Sequence, residues 1–195
     1  VTRSPTASTP RLRIEALEGH GVPADIIKIW RETVGAELLP VQAQAVLGHG
    51  LLSTNESIVI YSPTSSGKTF NGEMAAIKAA REGTRSFYLV PQRALAEEKY
   101  FELRERYGRL GVEVVVSSSD HREYDEAIAR GDFHIAVVVF EKLEVLLVRR
   151  PELLDTVGLV VVDELQLLTD RERGPGLEIL LTKMRLAPSR PRILG

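Results

Sequence analysis

The sequence predicts an α/β domain with a mostly parallel sheet flanked by helices on both faces. Three observations lead there. From about residue 57 onward, short apolar runs alternate with segments of helical length. Those runs, such as Ile135 to Phe140 and Val157 to Val162, are continuously apolar, as in strands buried on both faces. Glycine or proline stands where most of the intervening helices must stop, at Gly83, Gly108, Pro151 and Pro188.

Residues 1–10 are polar, carry two prolines and predict a flexible lead-in. Helical spacing begins near Leu12. Pro23 opens a helix to Val34, with Ile26, Ile27, Trp30 and Val34 as its apolar stripe and Gly35 as its stop. A further helix is predicted from Pro40 to Leu52. Ser57 to Tyr61 then predicts a short strand, followed by a Ser/Gly loop and a helix from Gly67 to Arg81. Next come a strand over 85–90, a helix over 91–107 and a strand over 112–117. A helix over 120–130, capped by Asp120, is followed by a strand over 133–140 and a helix over 141–149. The series closes with a strand over 157–162, a helix over 176–186 and a strand beginning at Arg192. Tyr61, Phe70, Phe87, Tyr88 and Phe101 fall on these elements and are expected to pack in the core. Arg104-Glu105-Arg106 reads as a solvated helix face, and the arginines at 171, 173, 185 and 190 read as surface charge.

With 195 residues, 44% of them hydrophobic, the chain can bury the core of one ordinary domain. A net charge of −2 sets up no global field for nucleic acid, although a local basic strip can still bind it. There are no cysteines, which removes disulfides and thiolate chemistry. His20, His49, His121 and His134 show no metal-ligand spacing. No apolar run approaches the roughly 20 residues that span a bilayer, and residues 1–10 lack the apolar stretch of a secretory signal. The expected setting is cytoplasmic or beside nucleic acid, without a membrane.

The chemistry lies in two segments. Ser62-Pro-Thr-Ser-Ser-Gly-Lys-Thr69 stands between a predicted strand and a predicted helix. Backbone N–H groups of such a loop and the following helix start form a cradle for phosphate. Thr64, Ser65, Ser66 and Gly67 are the cradle, Lys68 reaches the phosphates, and the Thr69 hydroxyl reaches Mg²⁺. A strict phosphate loop has glycine where Ser62 stands. The second segment is Asp163-Glu164, placed by the run 157–162 at the carboxyl edge of the sheet. Asp163 is the metal-side carboxylate. Glu164 is the candidate to orient or deprotonate an attacking water.

Further segments occur in the same order: Val-Pro-Gln-Arg-Ala-Leu-Ala-Glu-Glu-Lys-Tyr at 90–100, Phe-Glu-Lys at 140–142, Val-Val-Asp-Glu-Leu-Gln-Leu-Leu at 161–168 and Arg-Gly-Pro-Gly-Leu-Glu at 173–178. With the loop at 63–69, they resemble the first RecA-like domain of superfamily-two DExH helicases, a P-loop NTPase fold. Within that group the chain looks most similar to archaeal fork-repair helicases and exosome-associated RNA helicases. The resemblance covers about Leu17 to Gly195. It implies ATP and Mg²⁺ as ligands, and nucleic acid, with a single-stranded tract, as partner. It implies that Gln42, in Leu39-Pro-Val-Gln-Ala-Gln, reads adenine, and that Arg93, Glu141 and Lys142 contact the nucleic-acid backbone. Gln166 stands where such a box has histidine and is implied to bridge phosphate to nucleic acid. Val139-Phe140 replaces the Thr-Ser usual before Glu-Lys, and Ser118-Ser119-Asp120 replaces Thr-Gly-Asp.

The resemblance also implies a second RecA-like domain, so residues 11–195 are expected to be a domain excised before the Ser-Ala-Thr motif, binding ATP with little hydrolysis alone. The rival expectations are another P-loop phosphotransferase, for which no lid or guanine-reading stretch is found, and a nucleic-acid scaffold that has lost catalysis.

Overall fold

The computed structural model of the protein describes residues 10–63, 66–117 and 123–195. Thr64, Ser65 and the segment 118–122, with the predicted cap Asp120, lie outside the described residues. The chain divides into two compact units. The first comprises the residues up to Thr54 with Ile60–Asn71, the second Asn55–Val59 with Gly72–Gly195.

In the first unit a 3-10 segment Ile14–His20 precedes α1 (Ala24–Val34) and α2 (Pro40–His49). Pro23 and Pro40 stand at the two helix starts, where a missing N–H costs nothing. Ile14, Leu17, Ile26 and Trp30 are fully buried. Trp30 meets Phe70 edge-on, with ring centroids 5.4 Å apart, so both aromatics are packing residues here.

The second unit holds a five-stranded parallel sheet: β1 (Arg85–Val90), β2 (Val114–Ser117), β3 (Ile135–Val139), β4 (Val157–Val162) and β5 (Arg192–Leu194). The order is β2-β3-β1-β4-β5. Helices α3 (Lys68–Arg81), α4 (Arg93–Tyr107), α5 (Glu123–Arg130), α6 (Phe140–Arg149) and α7 (Gly174–Leu186) complete the element list. Side chains of a strand alternate between faces. Phe87 and Leu89 of β1 therefore share one face with their register partners Ala136, Val138, Val160 and Val162. That face packs on Phe140, Leu143 and Leu147 of α6 and on Leu177, Leu180 and Met184 of α7. The opposite face presents Tyr88 and Val161, which close on Gly72 of α3. The expected sheet with helices on both faces is what forms.

Four local expectations need correction. The predicted strand 57–61 reduces to a single parallel bridge between Ile58 and Leu194. Tyr61, beyond that bridge, is 98% exposed rather than in the core. Phe101 is also exposed, because the buried stripe of α4 is Ala96, Tyr100, Leu103 and Tyr107 and Phe101 lies off it. Arg106 does not belong to a solvated face. It ion-pairs at 2.9 Å with Glu73, a carboxylate only 2% exposed that also accepts from the Tyr107 hydroxyl. A buried carboxylate without such partners would be costly. The 3-10 segments Gly108–Leu110, Pro151–Thr156 and Leu165–Thr169 were not anticipated.

A Cβ on Gly72 would lie 2.6 Å from Val161 Cγ1 and 3.1 Å from the Tyr88 hydroxyl. In Gly72→Ala an overpacking cost of about 1–3 kcal/mol outweighs a helix-propensity gain of about 1 kcal/mol. Urea denaturation of the variant is expected to show a lower midpoint; a midpoint equal to or above wild type would contradict this seating of α3.

Candidate functional site

The first unit supplies the loop that opens α3. Gly67 has φ +82°, a left-handed value natural to glycine. A Cβ there would come within 2.5 Å of Gln42 Nε2 and 2.6 Å of Leu39 Cδ1, so the position is closed to a side chain twice over. Gln42, 1% exposed, is the third residue of α2. Its Oε1 accepts from Leu39 N at 2.8 Å, and its Nε2 donates to Gly67 O at 2.9 Å. One amide thus ties the start of α2 to the turn before Lys68. Lys68 donates through Nζ to Pro63 O at 3.0 Å and also to Ser62 O. Ser66 Oγ is buried without a partner, which is the kind of atom a bound phosphate oxygen would satisfy. Thr69 is exposed. The glycine turn, an ammonium directly after it, a buried orphan hydroxyl and an exposed threonine fit a phosphate-bearing ligand.

The second unit supplies the carboxyl edge. Parallel pairing brings the exits of β1, β3 and β4 to one side of the sheet. Those exits carry Arg93, Glu141-Lys142 and Asp163-Glu164 respectively. The Asp163 N–H continues the ladder, donating to Leu89 O at 2.8 Å, and its side chain is half-buried. Glu164 turns the chain with φ 63° and ψ 53°, a left-handed conformation that a non-glycine residue adopts at a cost of roughly 1–2 kcal/mol. This turn leaves Glu164 exposed and starts the 3-10 segment that exposes Gln166. Burial pushes the Tyr88 phenol well above its ordinary value, and Asp163, Glu73 and Glu102 reinforce the shift. Tyr88 therefore stays neutral behind the carboxylate edge. Among the described residues no group of three or more His, Asp or Glu could hold a metal ion. Mg²⁺ keeps most of its ligands as water and phosphate, so it needs no such group.

The nucleic-acid candidates have protein partners. Glu141 is paired with Arg173 at 2.7 Å. Lys142 is paired at 2.8 Å with Asp125, whose other oxygen accepts from Ser117 Oγ at 2.7 Å. Arg93 is exposed on the first turn of α4. Arg173 itself is no surface charge: it bonds Glu141 and the Pro91 carbonyl and lies 4.9 Å from the centre of the Phe140 ring. No local pattern marks Asp125 or Arg173, because their partners lie 17 and 32 residues away. The one available signal for Arg173 was its place at the head of the 173–178 segment. A larger concavity, of about 570 Å³, is lined by Phe101, Arg104 and Arg109 beside the opposite, amino end of β2. It contains none of the candidate residues; Glu105 and Glu113 line it with the two arginines.

A parallel sheet flanked by helices, with a Gly-Lys-Thr turn opening a helix and an acidic pair ending a strand, is a RecA-like α/β domain. Comparisons agree. The sequence profile described as DEAD/DEAH box helicase matches residues 39–195. An ATP-dependent DNA helicase Hel308 from Methanocaldococcus jannaschii is 39% identical over 166 residues, covering 82% of this chain and 14% of that protein. The Hel308 protein of Pyrobaculum calidifontis is 38% identical, over 92% of this chain and 25% of its own length. A hypothetical ATP-dependent RNA helicase from Sulfolobus tokodaii has the same fold, with a TM-score of 0.68 at 21% identity over 89% of this chain and 50% of that one. The chain belongs to the DEAD/DEAH box helicase family, and it spans a quarter or less of the length of these two Hel308 relatives. No helix among the described residues is long and apolar enough to cross a membrane.

Two expectations follow from these bonds. Gln42→Ala removes two part-buried hydrogen bonds, each worth about 0.5–1.5 kcal/mol. Hydrogen exchange at the Leu39 amide is expected to accelerate and the denaturation midpoint to fall; unchanged exchange would contradict the tie. Asp170 Oδ1 accepts from the N–H groups of Arg173 and Glu172 at 2.8 and 2.9 Å, which lowers its pKa below 3.8. A lowered folded pKa contributes stability that is present above the unfolded value and lost as pH falls through the folded one. A carboxyl NMR titration is expected to give a midpoint under 3.8, with the amides of Glu172 and Arg173 shifting at that same midpoint; a higher value would rule the cap out.

Proposed function

We propose that this chain is the ATP-binding motor domain of an ATP-dependent helicase or translocase acting on DNA, with a single-stranded tract as the track. The observation that carries this reading is the Gly67-Lys68-Thr69 turn at the head of α3, bonded by Gln42, in a member of the helicase family. The relatives at 38–39% identity are DNA helicases by name, which is why DNA is chosen over RNA.

In this reading Ser66, Gly67 and Lys68, with Thr64 and Ser65, hold the triphosphate. Thr69 and Asp163 hold Mg²⁺, which when bound neutralises phosphate charge. Gln42 reads the adenine edge while its bond to Gly67 keeps the turn in shape. Glu164, exposed by its left-handed turn, orients the attacking water and accepts its proton. Storing strain at such a position is common where a side chain must be presented to a reaction. Gln166 bridges from phosphate toward nucleic acid as a neutral amide, so no histidine-like titration is expected of it. Arg93 and Lys142 meet the DNA backbone. Glu141 acts beside them through its pair with Arg173.

A second RecA-like domain would supply arginines to the developing charge, a contribution of about 10³–10⁵ in rate. The chain alone is therefore expected to bind Mg·ATP, hydrolyse it very slowly and separate no duplex. Calorimetric titration of Mg·ATP should show binding that weakens at least about tenfold, roughly 1.4 kcal/mol, in Lys68→Ala. Equal affinity in both proteins would instead favour a scaffold that has lost its nucleotide chemistry.

A further inference from the structure

We propose that Arg173 is a positioning residue that fastens the turn after Asp163-Glu164 to the starts of α4 and α6, which bear the DNA contacts, coupling DNA occupancy to the nucleotide site. This role presupposes that the chain binds both ligands.

The guanidinium is shared by a carboxylate, a backbone carbonyl and an aromatic ring. Nε and Nη2 donate to Glu141 Oε1 at 2.8 and 2.7 Å. Nη2 also donates to the carbonyl of Pro91, two residues before Arg93. The guanidinium carbon lies 4.9 Å from the centre of the Phe140 ring, in range for a cation–π contact. Arg173 is the cation paired with the half-exposed Glu141 carboxylate, whose Oε2 is shielded and accepts no bond. A planar fork can serve two oxygens and a ring together; a lysine ammonium cannot reproduce that geometry.

Arg173 is itself held from behind. Its N–H is bonded to Asp170 Oδ1. The next residue, Gly174, sits so close to the 3-10 segment bearing Gln166 that a Cβ would lie 2.4 Å from Leu168 O. The loops also meet at a cavity of about 10 Å³ lined by Pro91, Phe140, Asp163, Leu167 and Leu177. A shift of the first turn of α4, with Arg93, or of α6, with Lys142, thus pulls on Arg173, and through it on the 164–170 turn. Packed interfaces of this kind pass on displacement because they do not deform smoothly.

The test uses anisotropy of a labelled single-stranded DNA oligonucleotide titrated with the chain, with and without Mg²⁺ and a non-hydrolysable ATP analogue. Wild type is expected to show an affinity ratio of about 5 or more between the two conditions. Arg173→Ala and Arg173→Lys are both expected to bring that ratio to about 1, with analogue affinity in the absence of DNA held within about twofold. Far-UV circular dichroism checks folding. If Arg173→Ala unfolds, Glu141→Gln carries the test and should uncouple likewise. Coupling retained in Arg173→Lys would overturn the proposal, since charge alone would then suffice; so would coupling retained in Arg173→Ala or Glu141→Gln, or no coupling in a wild type that binds both ligands. A wild type that binds neither ligand would overturn the helicase reading as well.

Discussion

Parallel strand pairing is the constraint on which the carboxyl edge depends. Parallel strands must all leave the sheet on the same side, so residues far apart in the chain become neighbours without needing to attract one another. β1, β3 and β4 lie side by side in one register, and their exits carry Pro91, Phe140 and Asp163. The two faces of the sheet are covered differently. One is a broad apolar layer against α6 and α7. The other approaches α3 so closely at Gly72 that no side chain fits. A sheet buried on both faces offers polar chemistry only at its edges, and the carboxyl edge is where open α/β sheets place ligands.

Charge around that sheet is managed by pairing. Glu73, inside the second unit, is neutralised by Arg106 and hydrogen-bonded by Tyr107. Asp125 joins Ser117 to Lys142, and Arg173 joins Glu141 to Pro91. The first tie joins α3 to α4, whereas the other two restrain the segments that follow the strands. That makes the edge more rigid than apolar packing alone would, because hydrogen-bonded charges have direction and packed methyl groups do not.

The loop of the first unit follows another logic. Its shape depends on one uncharged amide. Gln42 completes the helix start of α2 and grips the carbonyl of Gly67, while Gly67 leaves no room for a side chain that would push the amide away. A neutral group suits this task. A carboxylate at the same place would repel both the Gly67 carbonyl and any phosphate held by the turn.

Much of this protein was legible from residue order alone. Continuously apolar runs of strand length and the helix stops between them specify the parallel sheet, and β1 and β4 have the expected bounds. The Gly-Lys-Thr turn and the Asp-Glu pair were legible because their chemistry is local and rides on element ends. The edge strand expected at 57–61 was not secure, since β propensity cannot supply a pairing partner, and only Ile58 finds one. The outward turn of Phe101 depended on which stripe of α4 faces the sheet. The roles of Arg106, Asp125 and Arg173 were invisible in the same way: a charged residue in a helix or loop reads as solvated until the fold brings its partner near. Local spacing encodes backbone periodicity and short motifs, whereas the pairing of distant charges exists only once the chain has closed on itself.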